Sequence, residues 1–261
     1  MVTPAPESPP ELRHTDAGTA FGILPPHGGG PAATVLVIVS PLDALADEPY
    51  CRLARRLHGR GWDVASLDLP CHGDQRRADE PEGLEGWAAR TGAGEDFVAP
   101  FCRQARDVVD HLVSAGIADP SRLAVAGTSR AGFLAFHAAA RDPRLAAVAA
   151  LAPVSDLRTL TEFAGQDDNP LVARLALLQA VDALADRQAW IAIGHADQRV
   201  GTDKVVAFAD ALTAAGQARG LRDQVTLRIF PTPGHSSFPQ WHDEAAAWFQ
   251  RLRFIMDTPG R

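Results

Sequence analysis

Short apolar runs, each followed by a segment of helical periodicity, constrain this chain most. Residues 33–39 (ATVLVIV) lie between a turn-forming stretch at 25–31 (PPHGGGP) and a polar loop. An apolar run this short, rich in β-branched residues and bounded by turns, reads as a strand buried on both faces. Further strands are predicted at 62–69, 123–126, 145–151, 190–193 and 225–230, and residues 19–24 (TAFGIL) can form another. Helices are predicted at 47–60, at 95–116, from the end of the 123–126 strand through Ala140, at 202–215 and at 240–254. In the 95–116 helix Val98, Phe101, Val108, Val109 and Leu112 fall on or near one face. This alternation predicts an α/β fold, with a mostly parallel central sheet covered by helices on both faces and ligand sites at the carboxyl ends of the strands.

With 261 residues, 46% of them apolar, the chain can build one sizeable core. Residues 1–17, rich in Pro, Glu and Thr and without periodicity, are expected to be a flexible tail; residues 18–256 form the domain, with a small cap insert at about 153–188. The net charge of −7 and the lack of a basic stripe argue against a nucleic-acid partner. The short pairs Arg55-Arg56 and Arg76-Arg77 read as solvated surface. Three cysteines, Cys51, Cys71 and Cys102, form neither a CxxC pair nor a metal-ligand spacing, which fits a reducing compartment. The first 19 residues hold no apolar signal core, and no stretch reaches the roughly 18 apolar residues that span a bilayer. The expected location is the cytoplasm, with no membrane partner.

The sharpest motif is LAVAGTSRAG at 123–132, a strand, a turn of small residues and a helix start. A nucleophile elbow needs this order, because the serine sits on a strained turn that projects its Oγ above the sheet and leaves no room for large neighbours. Gly127, Ala131 and Gly132 satisfy that demand, with alanine where glycine is commoner. Ser129 is the predicted nucleophile, and the competing reading is a serine that merely caps the helix. A base and an orienting acid must then follow. Asp197, in GHADQRV at 194–200, lies just past the 190–193 strand; His235, in PTPGHSS at 231–237, lies past the 225–230 strand. Ser, Asp, His is the chain order of α/β-hydrolases and differs from those of chymotrypsin and subtilisin. Asp156 follows the preceding strand and is a rival acid, but reads better as a helix cap. His195 reads as a structural, hydrogen-bonding histidine of the acid's own loop, and His137 as a packing residue.

With GTSRAG, GHADQRV and PGHS in place, the chain resembles α/β-hydrolase superfamily serine hydrolases over about residues 19–254, most closely the prolyl-oligopeptidase-like and dienelactone-hydrolase-like branches. In those branches a Gly-x-x-Asp-x-x-Val element carries the acid and a Gly-His element the base. The resemblance therefore implies the same roles for Asp197 and His235. It implies a peptidase less readily, since no propeller-sized segment precedes residue 19.

The oxyanion hole is expected to use the backbone N–H of Arg130 and one N–H from the loop after the 33–39 strand. That loop reads Ser40-Pro41-Leu42-Asp43 and lacks the family's usual His-Gly pair; Pro41 has no N–H, so Leu42 is the second donor by position. The Arg130 side chain either attracts an anionic substrate group or holds the elbow by a salt bridge. His72 and Asp74 on one loop are too few for a metal site, and Cys71 on the same loop is a turn residue, not a nucleophile. Residues 75–96, acidic and irregular with Trp87, and the cap insert, with Phe163, Leu171, Leu175, Leu177 and Leu178, are expected to shape the pocket; Trp87 and Phe163 are the candidate substrate contacts, although apolar residues at helical spacing are more often core. The expected activity is cofactor-free, metal-free hydrolysis of a carboxylic ester on a small acyl substrate. A peptidase, thioesterase, lactonase or acyltransferase on the same triad is the alternative, and a non-catalytic binding protein is the reading from another class.

Overall fold

The computed structural model describes residues 10–28, 30–38, 51–232, 234–235 and 238–256. Eight strands form one sheet: β1 (Glu11–His14), β2 (Ala20–Ile23), β3 (Ala32–Ile38), β4 (Asp63–Ser66), β5 (Ala118–Thr128), β6 (Leu145–Leu151), β7 (Gln188–Gly194) and β8 (Val225–Phe230), in the order β1-β2-β4-β3-β5-β6-β7-β8. From β4 to β8 every pairing is parallel, while β2 runs antiparallel to β4 and to β1. The run that reads as a buried strand is buried: Val35 is wholly inaccessible, as are Val125, Val148 and Ile191 on β5, β6 and β7, whereas β8 at the sheet edge is largely accessible, with Ile229 52% exposed. The chain leaves β3 for β4 on one side and returns to β5 on the other, so strand order reverses at β3–β5. Such a reversal opens a crevice at the carboxyl ends, and β5 ends there at Thr128, immediately before Ser129.

Helices α1 (Arg52–His58), α2 (Gly83–Gly92), α3 (Val98–Ser114), α4 (Arg130–Arg141), α5 (Pro170–Leu175), α6 (Val181–Leu184), α7 (Thr202–Ala218) and α8 (Pro239–Met256) accompany the sheet. The apolar face of α3, including Val98, Phe101, Val108, Val109 and Leu112, is inaccessible as its periodicity requires.

Two expectations need correction. Residues 11–14 are not a loose tail: they pair antiparallel with 20–23 through a turn closed by Thr15 and Thr19. Main-chain pairing to an edge demands no apolar pattern, and Leu12 on β1 is 63% exposed. Within the segment expected to be irregular, residues 83–92 form α2. Glycine is a poor helix former, but Gly86 is demanded by close packing: a Cβ there would lie 2.4 Å from the Pro81 carbonyl oxygen and 2.7 Å from Cys71 Cβ. The cap insert is two 3₁₀ turns (Leu157–Thr159 and Thr161–Phe163), α5, a further 3₁₀ turn and α6. Phe163, Leu171, Leu175 and Leu177 are buried in the main core, and Leu178 is exposed.

Candidate active site

The elbow is built from crowding. A Cβ on Gly127 would lie 2.4 Å from the Ala131 carbonyl carbon, and one on Gly132 would lie 3.1 Å from the Gly127 oxygen and from Pro153 Cβ. Strand and helix therefore meet closer than side chains allow. Between them Ser129 takes φ 56° and ψ −119°, a conformation that costs a non-glycine residue about 1–3 kcal/mol and persists only where neighbours enforce it. The enforcement is visible: Ser129 N–H donates to the Leu151 oxygen at 2.8 Å, and its carbonyl accepts from Phe133 and Val154 N–H, each at 3.2 Å. The Ser129 side chain makes no capping bond to α4. Its Oγ lies 3.0 Å from His235 Nε2 instead, which removes the capping alternative.

His235 Nδ1 lies 2.8 Å from Asp197 Oδ2. The Asp197 carboxylate has no exposed surface, and its second oxygen, Oδ1, accepts the N–H groups of Arg199 at 3.0 Å and Val200 at 3.2 Å. A carboxylate that accepts from Nδ1–H fixes the imidazole proton on that nitrogen and leaves Nε2 free to accept from a serine hydroxyl. The acid's loop is locked by Thr202, whose N–H donates to the Asp197 oxygen at 3.0 Å while its Oγ accepts the Asp197 N–H at 3.1 Å and donates to Gly194 O at 2.6 Å. Gly194 permits the approach of the base's loop, since a Cβ there would fall 2.1 Å from Thr232 Oγ1. The three side chains foreseen from chain order thus form one hydrogen-bonded line.

The rivals are occupied elsewhere. Asp156 caps the 3₁₀ turn at Leu157–Thr159 and pairs with Arg158 at 2.6 Å. Burial pushes its carboxyl up, but the Arg158 hydrogen bonds outweigh that and hold it below the ordinary carboxylate range. His195 is not the side-chain hydrogen-bonding residue expected: it is exposed, and among the described residues only its backbone N–H bonds, to Phe230 O at 2.8 Å. A ring on the outer side of a surface turn has no core partner to reach. His137 packs in the core, with Nε2 against Leu175 O and Nδ1 against Arg141; burial, with Arg141 beside it, lowers its pKa to about 3 and keeps it neutral. His72 holds Pro70 O through Nδ1, and burial lowers its pKa.

Cys71 sits in the turn at φ 61°, fully buried, its thiol pushed up to about 12 by burial, so it carries almost no thiolate at neutral pH. Among the described residues no group of three or more His, Cys, Asp or Glu side chains is placed to hold a metal ion.

Neither candidate substrate contact reaches the crevice surface. Trp87 is inaccessible: its ring stacks on Phe97 at 4.5 Å, and its Nε1–H donates to Pro70 O at 2.7 Å. Phe163 is 1% exposed. Both side chains belong to the apolar core onto which α2 and the cap turn pack. Of the oxyanion pair, Arg130 opens α4 directly after Ser129, with its N–H at the positive end of that helix. Leu42 lies outside the described residues. Sequence reasoning missed the Arg199 and Val200 amides and Thr202 that hold Asp197. The available signal was the aspartate itself, whose side chain accepts from N–H groups two and three residues on when it heads such a turn.

Fold and site define a serine hydrolase of the α/β-hydrolase superfamily. Residues 102–254, more than half of the 261-residue chain, match the prolyl oligopeptidase family, and the chain belongs to it. Among solved structures, the Thermus thermophilus protein TT1662 is similar with TM-score 0.67 and 18% identity, over 95% of this chain and 99% of that one. An acetyl xylan esterase from Paenibacillus sp. R4 is similar with TM-score 0.63 and 16% identity, over 96% and 86%. Porphyromonas gingivalis dipeptidyl peptidase 4 is similar with TM-score 0.68 and 17% identity, over 94% of this chain but 36% of that one. No curated protein matches in sequence.

Proposed function

We propose that this protein hydrolyses carboxylic esters of small acyl substrates through an acyl-enzyme on Ser129, with His235 as general base and acid and Asp197 as its orienting carboxylate. The observation that carries the reading is the continuous line from Ser129 Oγ to His235 Nε2 at 3.0 Å and from His235 Nδ1 to Asp197 Oδ2 at 2.8 Å. A serine hydroxyl is a weak nucleophile until a base takes its proton. In the reaction Oγ attacks the ester carbonyl while Nε2 accepts the proton. Asp197 stabilises the imidazolium, and His235 then protonates the departing alcohol. Water, deprotonated by the same nitrogen, hydrolyses the acyl-enzyme. The developing oxyanion is assigned to the N–H groups of Arg130 and Leu42.

An ester draws support from the acetyl xylan esterase, which this chain matches over most of its length. A peptidase on the same residues is the second reading, favoured by the family's name and by the likeness to dipeptidyl peptidase 4. The three cysteines, all buried and none in a disulfide, suit the cytoplasmic location proposed for the chain. No helix among the described residues is long and apolar enough to cross a membrane.

Ser129→Ala tests the core of the proposal. Loss of the nucleophile is expected to lower kcat on p-nitrophenyl acetate by about 10⁴-fold or more and to abolish labelling by a fluorophosphonate probe, with circular dichroism unchanged. Near-wild-type turnover in the variant overturns the assignment. Parallel assays with peptide and thioester substrates separate the two readings.

A further inference from the structure

The turn that carries the catalytic acid is tied to the cap by one side chain. Arg199 contributes its backbone N–H to Asp197 Oδ1, at 3.0 Å. Its guanidinium leaves the turn in the opposite direction, donating to Glu162 Oε1 at 2.5 Å and to Thr161 Oγ1 at 3.0 Å. Both acceptors belong to the 3₁₀ turn Thr161–Phe163. Among the described residues no other hydrogen bond joins residues 195–200 to residues 157–169. We infer that Arg199 is a positioning residue, and that its bridge to Glu162 makes the cap turn a brace for Asp197. The inference rests on the triad reading.

Three features give the brace mechanical meaning. The cap turn is itself fixed: Phe163 is buried in the core, Gln166 Nε2 donates to Ala88 O at 2.9 Å, and Asn169 Nδ2 donates to Thr91 O at 3.0 Å, both carbonyls being on α2. The ion pair is partly sheltered, the Glu162 side chain being 15% exposed and that of Arg199 31%. Finally, Asp197 Oδ1 has two donors, and they come from consecutive residues with unequal anchorage. Val200 is held by its buried side chain, whereas Arg199 is half-buried and its side chain is anchored by the bonds to the cap turn. If the 199 amide swings away, Oδ1 loses a donor and Oδ2 is freed to drift from Nδ1. On this inference the bridge acts through the orientation of Asp197 and His235, so its loss falls on proton transfer and not on substrate binding.

The test compares Arg199→Ala, Arg199→Lys, Glu162→Gln and the double variant Arg199→Ala/Glu162→Gln on p-nitrophenyl acetate, with fluorophosphonate labelling rates measured alongside. Arg199→Ala is expected to lower kcat and the labelling rate about tenfold, short of the hundredfold that a 1 Å misplacement can cost, with KM within about twofold of wild type. Glu162→Gln, which keeps the shape of the side chain and leaves the backbone alone, is expected to lose kcat in the same sense. The double variant is to be no slower than Arg199→Ala, because both substitutions cut one bridge. Arg199→Lys keeps the charge but not the two-pronged reach and falls between wild type and Arg199→Ala. Unchanged kcat in Arg199→Ala and Glu162→Gln, or a loss confined to KM, overturns the inference while wild type still labels. Additive losses in the double variant overturn it too. A wild type that neither turns over nor labels overturns the triad reading, and this inference with it. If Arg199→Ala does not fold, Glu162→Gln and Arg199→Lys decide the matter.

Discussion

Gly127→Ala tests whether the elbow's crowding is what positions the nucleophile. The added Cβ would lie 2.4 Å from the Ala131 carbonyl carbon, 2.5 Å from its oxygen and 2.7 Å from Gly132 N. All three are backbone atoms of the first turn of α4, so no rotamer change relieves the contact. Restoring an ordinary 3.4 Å to an atom at 2.4 Å asks for a separation of about 1 Å between β5 and α4. Ser129 joins the two elements, and its carbonyl is bound from both Phe133 and Val154, so it moves with them. A 1 Å misplacement at a reacting atom costs about 10²-fold in kcat, and overpacking a tight contact costs about 1–3 kcal/mol of stability. The assay is the second-order rate of fluorophosphonate labelling beside thermal unfolding, with Gly132→Ala as comparison. There the nearest atoms lie at 3.1–3.3 Å, and a milder loss is expected. A folded Gly127→Ala protein that labels at the wild-type rate refutes the reasoning, because the nucleophile would then be placed by something other than the strand–helix approach.

Asp197→Asn is expected to reduce kcat by about 10⁴-fold, through the wrong imidazole tautomer, whereas Asp156→Asn, which loses the ion pair with Arg158 but keeps a capping oxygen, stays within about tenfold; steady-state kinetics on one ester compares them. His235→Gln is expected to be inactive and His195→Gln nearly wild-type, since the His195 ring is exposed and the His235 ring bridges both partners; equal inactivity in two folded proteins contradicts the single-base scheme. The Arg90 hydrogen bond is the chief cause that holds the Glu80 carboxyl down at about 2, in a pair whose side chains are each 11% exposed. A depressed acid contributes stability above its unfolded value of 4.5 that fades as the pH falls towards 2, so Glu80→Gln is expected to lose about 1–3 kcal/mol at neutral pH and to flatten the fall in Tm across that window, read by thermal melts at stepped pH.

What the sequence disclosed tracks where the physics is local. The segments at 145–151 and 225–230 coincide with β6 and β8 to the residue, because each is too short for a stable helix and falls in the alternation of strand with helix. Strand β1 and helix α2 escaped because their stability is not written in their own residues. The main chain of β1 pairs with an edge that its sequence does not describe. In α2 a glycine, Gly86, lets the helix lie against Cys71 and Pro81. For the same reason Trp87 was misplaced: an aromatic in an acidic segment resembles a pocket wall until the stacking on Phe97 is seen.

The line of Ser129, His235 and Asp197, proposed as the triad, was legible for a different reason. A nucleophile, a base and an acid must each stand at the carboxyl end of a parallel strand, so motif and topology constrain one another: Ser129 follows β5, Asp197 follows β7 and His235 follows β8. Nothing comparable constrains the residues that hold the triad in place. Thr202 and Arg199 act through one hydroxyl and one amide, and any residue except proline offers the amide. Their placement depends on the course of a turn, and for Arg199 on a glutamate 37 positions earlier in a cap whose path no periodicity records. Side chains that do chemistry are chosen by type and show in a sequence. Those that position them are chosen by geometry and show only once the chain is folded.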